Sequence, residues 1–173
     1  MREPFPVPAV NLSEINPAFY RRVVPVPGHI PNNPGEIVVD PFNRYTFLIL
    51  PDNMCVQYGC GVGRDGFGWS GHAYVGRKAE WPTWTPPAEM VARDPLARPW
   101  ANGMPGGPQN PLGARALYLY RGYSDTLYRI HGTNQPASIG LAMSSGCIRL
   151  LNQDIIDLYA MVPVGTKVTV LPA

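Results

Sequence analysis

From Glu36 onward the apolar residues fall into short runs, some alternating and some continuous, each closed by Gly, Pro, Asp or Asn. That is the pattern of β-strands and turns. Glu36-Ile37-Val38-Val39-Asp40 predicts one strand, and Arg44 to Leu50 and Met54 to Gly61 predict two more, joined by a tight hairpin at Pro51-Asp52-Asn53. Ala73 to Val75, Arg115 to Tyr120 and Thr126 to His131 follow the same rules, and Lys167 to Leu171 closes the chain after Pro163 and Gly165. Helical spacing occurs twice. Ile155, Leu158, Tyr159 and Val162 repeat at i, i+3, i+4 and i+7, with Asn152 as the expected cap, Asp154 near the positive end and Pro163 as the stop. Thr85-Pro86-Pro87-Ala88-Glu89-Met90 predicts the cap and first turn of a shorter helix.

Two stretches carry no periodicity of their own. Residues 1–34 contain Pro4, Pro6, Pro8, Pro17, Pro25, Pro27, Pro31 and Pro34 and predict an extended arm draped over a domain that occupies 35–173. Arg93 to Gly113, including Met104-Pro105-Gly106-Gly107-Pro108, predicts a long irregular insertion, the kind of segment that often serves as a lid or wall.

Composition narrows the picture. A chain of 173 residues fits one domain with a short arm. With 45% hydrophobic and 15% charged residues it can offset its ordering entropy by burial, and its 21 Pro and 18 Gly exclude a helical bundle. A formal charge of +2 without a basic run argues against nucleic acid as a partner. The longest apolar runs, such as Tyr45 to Leu50, fall far short of the ~20 residues that span a bilayer. Met1-Arg2-Glu3-Pro4 lacks the apolar core of a secretion signal, which leaves a cytosolic chain or one without its leader. Three cysteines, an odd number, argue against a disulfide framework. Cys55 and Cys60 share a predicted strand, ~16 Å apart and on opposite faces, too far to bridge.

The stretch from Tyr128 to Leu150 could carry chemistry. His131 ends a predicted strand, Cys147 follows Gly146, and the loop between them holds Gly132, Pro136 and Gly140, enough turn residues to fold back and bring the two side chains together. A neighbouring imidazole can take a thiol proton and release the nucleophilic thiolate. Gly146 would let main-chain amides approach an oxyanion. A lone Cys is also a common small buried hydrophobe, and a His at a strand end is commonly a satisfied polar group; residue types alone leave both readings open. Cys147, His131, His72 and His29 show no close ligand pair, so no metal and no cofactor is expected.

His131-Gly132-Thr133 followed by Ser144-Ser145-Gly146-Cys147-Ile148-Arg149 resembles the signature of the L,D-transpeptidase catalytic domain, the YkuD-like family that cross-links bacterial peptidoglycan. The likeness extends over roughly Gly35 to Leu171. It includes Tyr58-Gly59 through Arg64, the Gly66 to Gly71 hairpin, and Ala79 to Pro87, which looks like the version in Gram-negative envelopes. The fold it implies is mostly β, a sandwich or partly open barrel with one C-terminal helix, a short additional helix and a long irregular insertion.

By that resemblance Cys147 is the nucleophile, His131 the base and the Gly132 carbonyl the group that orients the imidazole, while the amides of Ser145, Gly146 and Cys147 hold the oxyanion. Arg149 and Ser144 are the implied substrate-binding positions, with Trp81, Trp84, Met104 and Tyr118 as candidate groove walls that could equally be core or loop anchors. One departure stands out: Ser145 replaces the signature's usual His, which leaves base duty to His131. The implied reaction is ping-pong acyl transfer. Cys147 attacks the carbonyl between a diamino acid and the terminal D-alanine of a peptidoglycan tetrapeptide stem, and the acyl group then passes to an amine. The amine could belong to another stem, an amino acid or an outer-membrane protein. Water as acceptor would give a carboxypeptidase or a hydrolase that cuts protein from peptidoglycan, and a noncatalytic wall-binding module is the remaining alternative. Location in the periplasm and acylation of Cys147 by carbapenems are implied as well.

Overall fold

The computed structural model describes residues 2–63, 69–144 and 147–173, with the main chain alone at 143 and 144. Part of the hairpin expected at Gly66 to Gly71, and Ser145 and Gly146, lie outside the described residues. In chain order the elements are β1 (Arg22–Pro25), β2 (Ile37–Asp40), β3 (Tyr45–Ile49), β4 (Met54–Gly59), β5 (Val62–Gly63), β6 (Gly71–Glu80), α1 (Ala88–Arg93), β7 (Arg115–Arg121), β8 (Ser124–His131), β9 (Ala142–Ser144), β10 (Ile148–Arg149), α2 (Asn152–Met161) and β11 (Lys167–Val170). Nine strands build one open mixed sheet in the order β1-β4-β3-β2-β11-β6-β7-β8-β10, and β5 and β9 form a separate parallel pair. Among the described residues, only β2 with β11 and β8 with β10 run parallel in the large sheet.

Alternation along the strands divides the side chains between two faces. Ile37, Val39, Leu48, Val168, Val75, Leu117, Leu119, Ile130 and Ile148 point to one face and pack with Ile155 and Leu158 of α2 in the main core. Burying each such side chain contributes roughly 1.5–3 kcal/mol. Val38, Phe47, Ile49 and Cys55 point to the other face, where Ile30 and the partly buried Val24 and Val26 cover them. That two-sided burial explains why β2 reads as a continuous Ile-Val-Val run. Across β6, β7 and β8 the second face changes character and carries Arg77, Tyr118 and Arg129 instead of aliphatic side chains.

The hairpin between β3 and β4 turns at Asp52 and Asn53, which hold φ of 62° and 61°, the left-handed pair that a two-residue turn needs. The short strands β5, β9 and β10, of two or three residues each, have no counterpart in the sequence pattern, and three further elements depart from it. The proline-rich stretch contributes β1, which pairs antiparallel with β4 as the sheet edge. β6 runs from Gly71 to Glu80, well beyond Ala73 to Val75, because its outer residues pair in a sheet whose second face is polar. The residue flanking α2 at its start is Leu151, not Asn152, whose side chain is used elsewhere. Lys78 closes the other end of α2 by donating to the Tyr159 and Val162 carbonyls, 2.7 Å each.

Candidate active site

The pairing of β8 with β10 sets the geometry. Ile148 lies beside Ile130 and Arg149 beside His131, in parallel register. Ile130 and Ile148 point into the main core, so their neighbours His131, Arg149, Arg129 and Cys147 belong to the opposite face. The Leu150 amide donates to the His131 carbonyl at 2.8 Å, and Gly61 exchanges two main-chain bonds with Arg149, at 2.9 and 3.0 Å, from the far side. β10 is thus held on both edges although it is only two residues long. Cys147 enters it at the level of Arg129, whose main chain hydrogen-bonds to the thiol.

His131 is buried, 5% exposed. Its Nδ1 is 2.5 Å from the Gly132 carbonyl oxygen. A carbonyl can only accept, so Nδ1 carries the proton and Nε2 is left as an acceptor. Burial pushes the imidazole pKa down to about 4; the Gly132 bond opposes that, and the charges of Arg149 and Arg129 add to it. The imidazole is therefore neutral at neutral pH. Burial likewise raises the Cys147 thiol, against the Arg129 main-chain bond and the positive charges of Arg129 and Arg149. The resting pair is a neutral thiol and a neutral base, not a preformed ion pair.

Asn152 locks this arrangement in a way the helix-cap reading missed. Its Oδ1 accepts from the Ala114 amide at 3.0 Å and the Thr133 amide at 3.3 Å. A Cβ on Gly132 would stand 2.2 Å from that oxygen, and one on Gly113 2.3 Å, so both positions must lack a side chain. The carboxamide ties the start of α2 to the turn that carries the Gly132 carbonyl. The sequence signal was the pair of glycines, which reads as turn chemistry until the long-range partner is known.

The remaining candidates scatter. Tyr118 lies on the Cys147 face with the Arg77 guanidinium 4.0 Å and the Arg129 guanidinium 4.5 Å from its ring centre. Arg149 donates to Gln135 at 3.2 Å. Trp84 and Met104 are brought together by two mutual main-chain bonds, 2.9 and 2.6 Å, that fold the insertion back on itself. Asn110, fully buried, fastens the same loop by donating to the carbonyls of Pro82, Met104 and Pro105. Trp81 is closed off by the arm: its Nε1 donates to Glu3 at 2.8 Å and its ring meets Phe5 edge-on at 5.1 Å. The Ser144 side chain and the amides of Ser145 and Gly146 lie outside the described residues.

A cavity of about 690 Å³ sits at the other end of β6 and β7, against His72, Tyr74, Tyr120 and Lys167, and does not touch Cys147. A smaller one of about 270 Å³ opens between the arm, Pro108 of the insertion and Thr133. The smaller lies nearer the chemistry, two residues along the chain from His131. His29 pairs with Asp40 and His72 with Thr169, so neither is committed to the thiol. Cys55 and Cys60 are buried free thiols, Cys60 pushed up to about 12 by burial. Among the described residues no group of three or more His, Cys, Asp or Glu stands together as a metal site.

A family model described as the L,D-transpeptidase catalytic domain matches residues 34–170. The Escherichia coli K12 protein "Probable L,D-transpeptidase YbiS" is 36% identical over 174 residues, covering 91% of this chain and 54% of that protein. The chain spans about half the length of the curated relatives it matches. A crystal structure from Brucella melitensis, described as a probable carnitine operon oxidoreductase, is 45% identical with a TM-score of 0.61, over 93% of this chain and 99% of that one. An L,D-transpeptidase from Mycobacterium smegmatis shares the fold at 19% identity, with a TM-score of 0.57 over 79% of this chain and 58% of that one.

Proposed function

The chain belongs to the L,D-transpeptidase catalytic domain family, and from that premise we propose that it transfers the acyl part of a peptidoglycan tetrapeptide stem through a thioester on Cys147. The observation that carries the reading is the His131 ring, buried, neutral and held by Gly132 so that Nε2 is its acceptor nitrogen, on the same sheet face as the half-buried Cys147. A neutral base of this kind takes the thiol proton as sulfur attacks the carbonyl, and gives it to the departing D-alanine amine. The tetrahedral oxyanion forms beside the Cys147 amide, with Ser145 and Gly146 as further donors. Arg149 orders the Cys147 loop through Gln135 and pairs with a substrate carboxylate. An incoming amine then resolves the thioester, and water in its place gives the carboxypeptidase reaction. The insertion walls the donor side: Asn134, just past His131, donates to the Gln109 carbonyl at 3.0 Å. We place the reaction in the cell envelope, where its polymer substrate is; among the described residues no helix is long and apolar enough to cross a membrane.

Supplying a tetrapeptide stem with and without an amine acceptor tests this. D-alanine release is expected from the wild type and from Cys55→Ala and Cys60→Ala, whose thiols burial keeps protonated, and is lost in Cys147→Ala. An amide-linked product identifies transfer, and a free tripeptide acid identifies hydrolysis. Release that survives in Cys147→Ala overturns the proposal.

A further inference from the structure

Four residues stand in one row across four strands. Arg77 of β6 is opposite Tyr118 of β7, Tyr118 is opposite Arg129 of β8, and Cys147 enters β10 at the level of Arg129. At ~4.8 Å per strand the row is roughly 14 Å from end to end. Strict alternation from Val75, which points into the core, would send Arg77 into the core as well. A register shift between Val75 and Arg77 prevents that. The extra residue is Gly76, and a Cβ there would lie 2.5 Å from atoms of the Tyr120 ring. This bulge turns Lys78 toward α2 and aims Arg77 at the Cys147 face.

The charges in the row are not equivalent. Arg129 is engaged, with two bonds to Asp125 at 2.6 and 3.1 Å. Arg77 is exposed and makes no ion pair within 4.0 Å among the described residues, yet its guanidinium is laid on the Tyr118 ring at 4.0 Å. A guanidinium stacked in this way has little freedom left to lose and keeps its donor edges available, which suits it to bind a carboxylate.

We propose that Arg77 is a specificity-determining residue that binds a second carboxylate of the acyl donor, one carried on the acyl fragment itself and not on the leaving amino acid. This rests on the acyl-transfer reading above. Donors with a free acid at that position are favoured over their carboxamides.

The test uses Cys147→Ala, which binds without reacting, and two synthetic tetrapeptide stems that differ only in having an acid or a carboxamide on the diamino acid side chain. Calorimetry is expected to show the acid bound about tenfold more tightly. In Cys147→Ala combined with Arg77→Gln the preference disappears, through loss of affinity for the acid alone, and Arg77→Lys restores part of it. An acid preference unchanged by Arg77→Gln, or no preference in the first place, overturns the proposal. Failure of the acyl-transfer reading looks different: the wild type would bind the peptides and release no D-alanine from either.

Discussion

At the level of single residues the site rests on two neutral groups. The thiol is raised by burial and the imidazole lowered to about 4, so the base is ready over a wide range and the nucleophile exists only when the base draws the proton away. Imidazole accepts a proton only when neutral, and the neutral fraction grows as pH rises through about 4. Acylation of Cys147 is therefore expected to lose rate only near pH 4 and to be flat from there through neutrality, as measured by stopped-flow or quenched mass spectrometry. An inflection near 6.5 would mean that the ring is solvated and the burial argument wrong. His131→Gln should show no plateau and react only as pH enters the range where the thiol itself ionises, above the usual cysteine value. Residue types alone left Cys147 and His131 open between catalysis and packing; the resemblance carried by His131-Gly132-Thr133 and Ser144 to Arg149 is what named Cys147, His131 and the Gly132 carbonyl. The bond that sets the tautomer runs to the neighbouring Gly132 carbonyl and followed from the same resemblance; the burial was not legible, since it depends on strands far apart in sequence.

At the element scale the site is a matter of edges. β10 has two residues, too few to read as a strand, yet it brings Cys147 beside β8 because β8 and Gly61 hold it from both sides. The apolar stripe of Ile155, Leu158 and Val162 packs as its helical spacing predicts, and the start of α2 differs. Asn152 looked like a cap because Asn is a cap residue, but its oxygen serves the Ala114 and Thr133 amides. Local propensity lost to a long-range need: those two amides would otherwise be left unpaired as they enter the core. Both bonds use the oxygen as acceptor, so a carboxylate can replace the carboxamide, at a helix start where negative charge is favoured. Asn152→Asp should keep acylation within a few-fold of wild type. Asn152→Ala should slow it by about tenfold or more while leaving donor affinity unchanged, because the Gly132 carbonyl no longer aims the imidazole. Comparing the affinity of the peptide with the rate of thioester formation in both variants checks this. Equal damage from Asp and Ala, or a loss confined to thermal stability, would make Asn152 a structural residue only.

At the scale of the whole molecule the arm is better tied down than its composition suggested. Its prolines concealed β1, and its first residues make contacts that no periodicity announces. Glu3 pairs with Arg115, a buried cation 6% exposed, and accepts from Trp81. That pairing, with Glu80 3.8 Å away and the Ala114 carbonyl accepting at 2.8 Å, explains how an arginine can be buried in a strand, and removing the Glu3 carboxylate would take away its nearest counter-charge. It also explains why Trp81, a reasonable groove wall by type, is covered. The sheet itself was legible because strand periodicity survives in β2, β3, β4, β7, β8 and β11. What was hidden was the full length of β6, whose second face carries Arg77 opposite Tyr118 in place of the aliphatic alternation that makes strands easy to see.

On the proposed mechanism Cys147 becomes acylated by a peptide donor with His131 as its base. Intact-protein mass spectrometry after rapid mixing with a tetrapeptide stem tests it most directly. The predicted result is a mass increase equal to the stem minus one D-alanine. Peptide mapping should place it on the segment holding Cys147, and it should be absent in Cys147→Ala and reduced by orders of magnitude in His131→Gln. An adduct on Cys55 or Cys60, or one that forms equally fast without His131, would contradict the account.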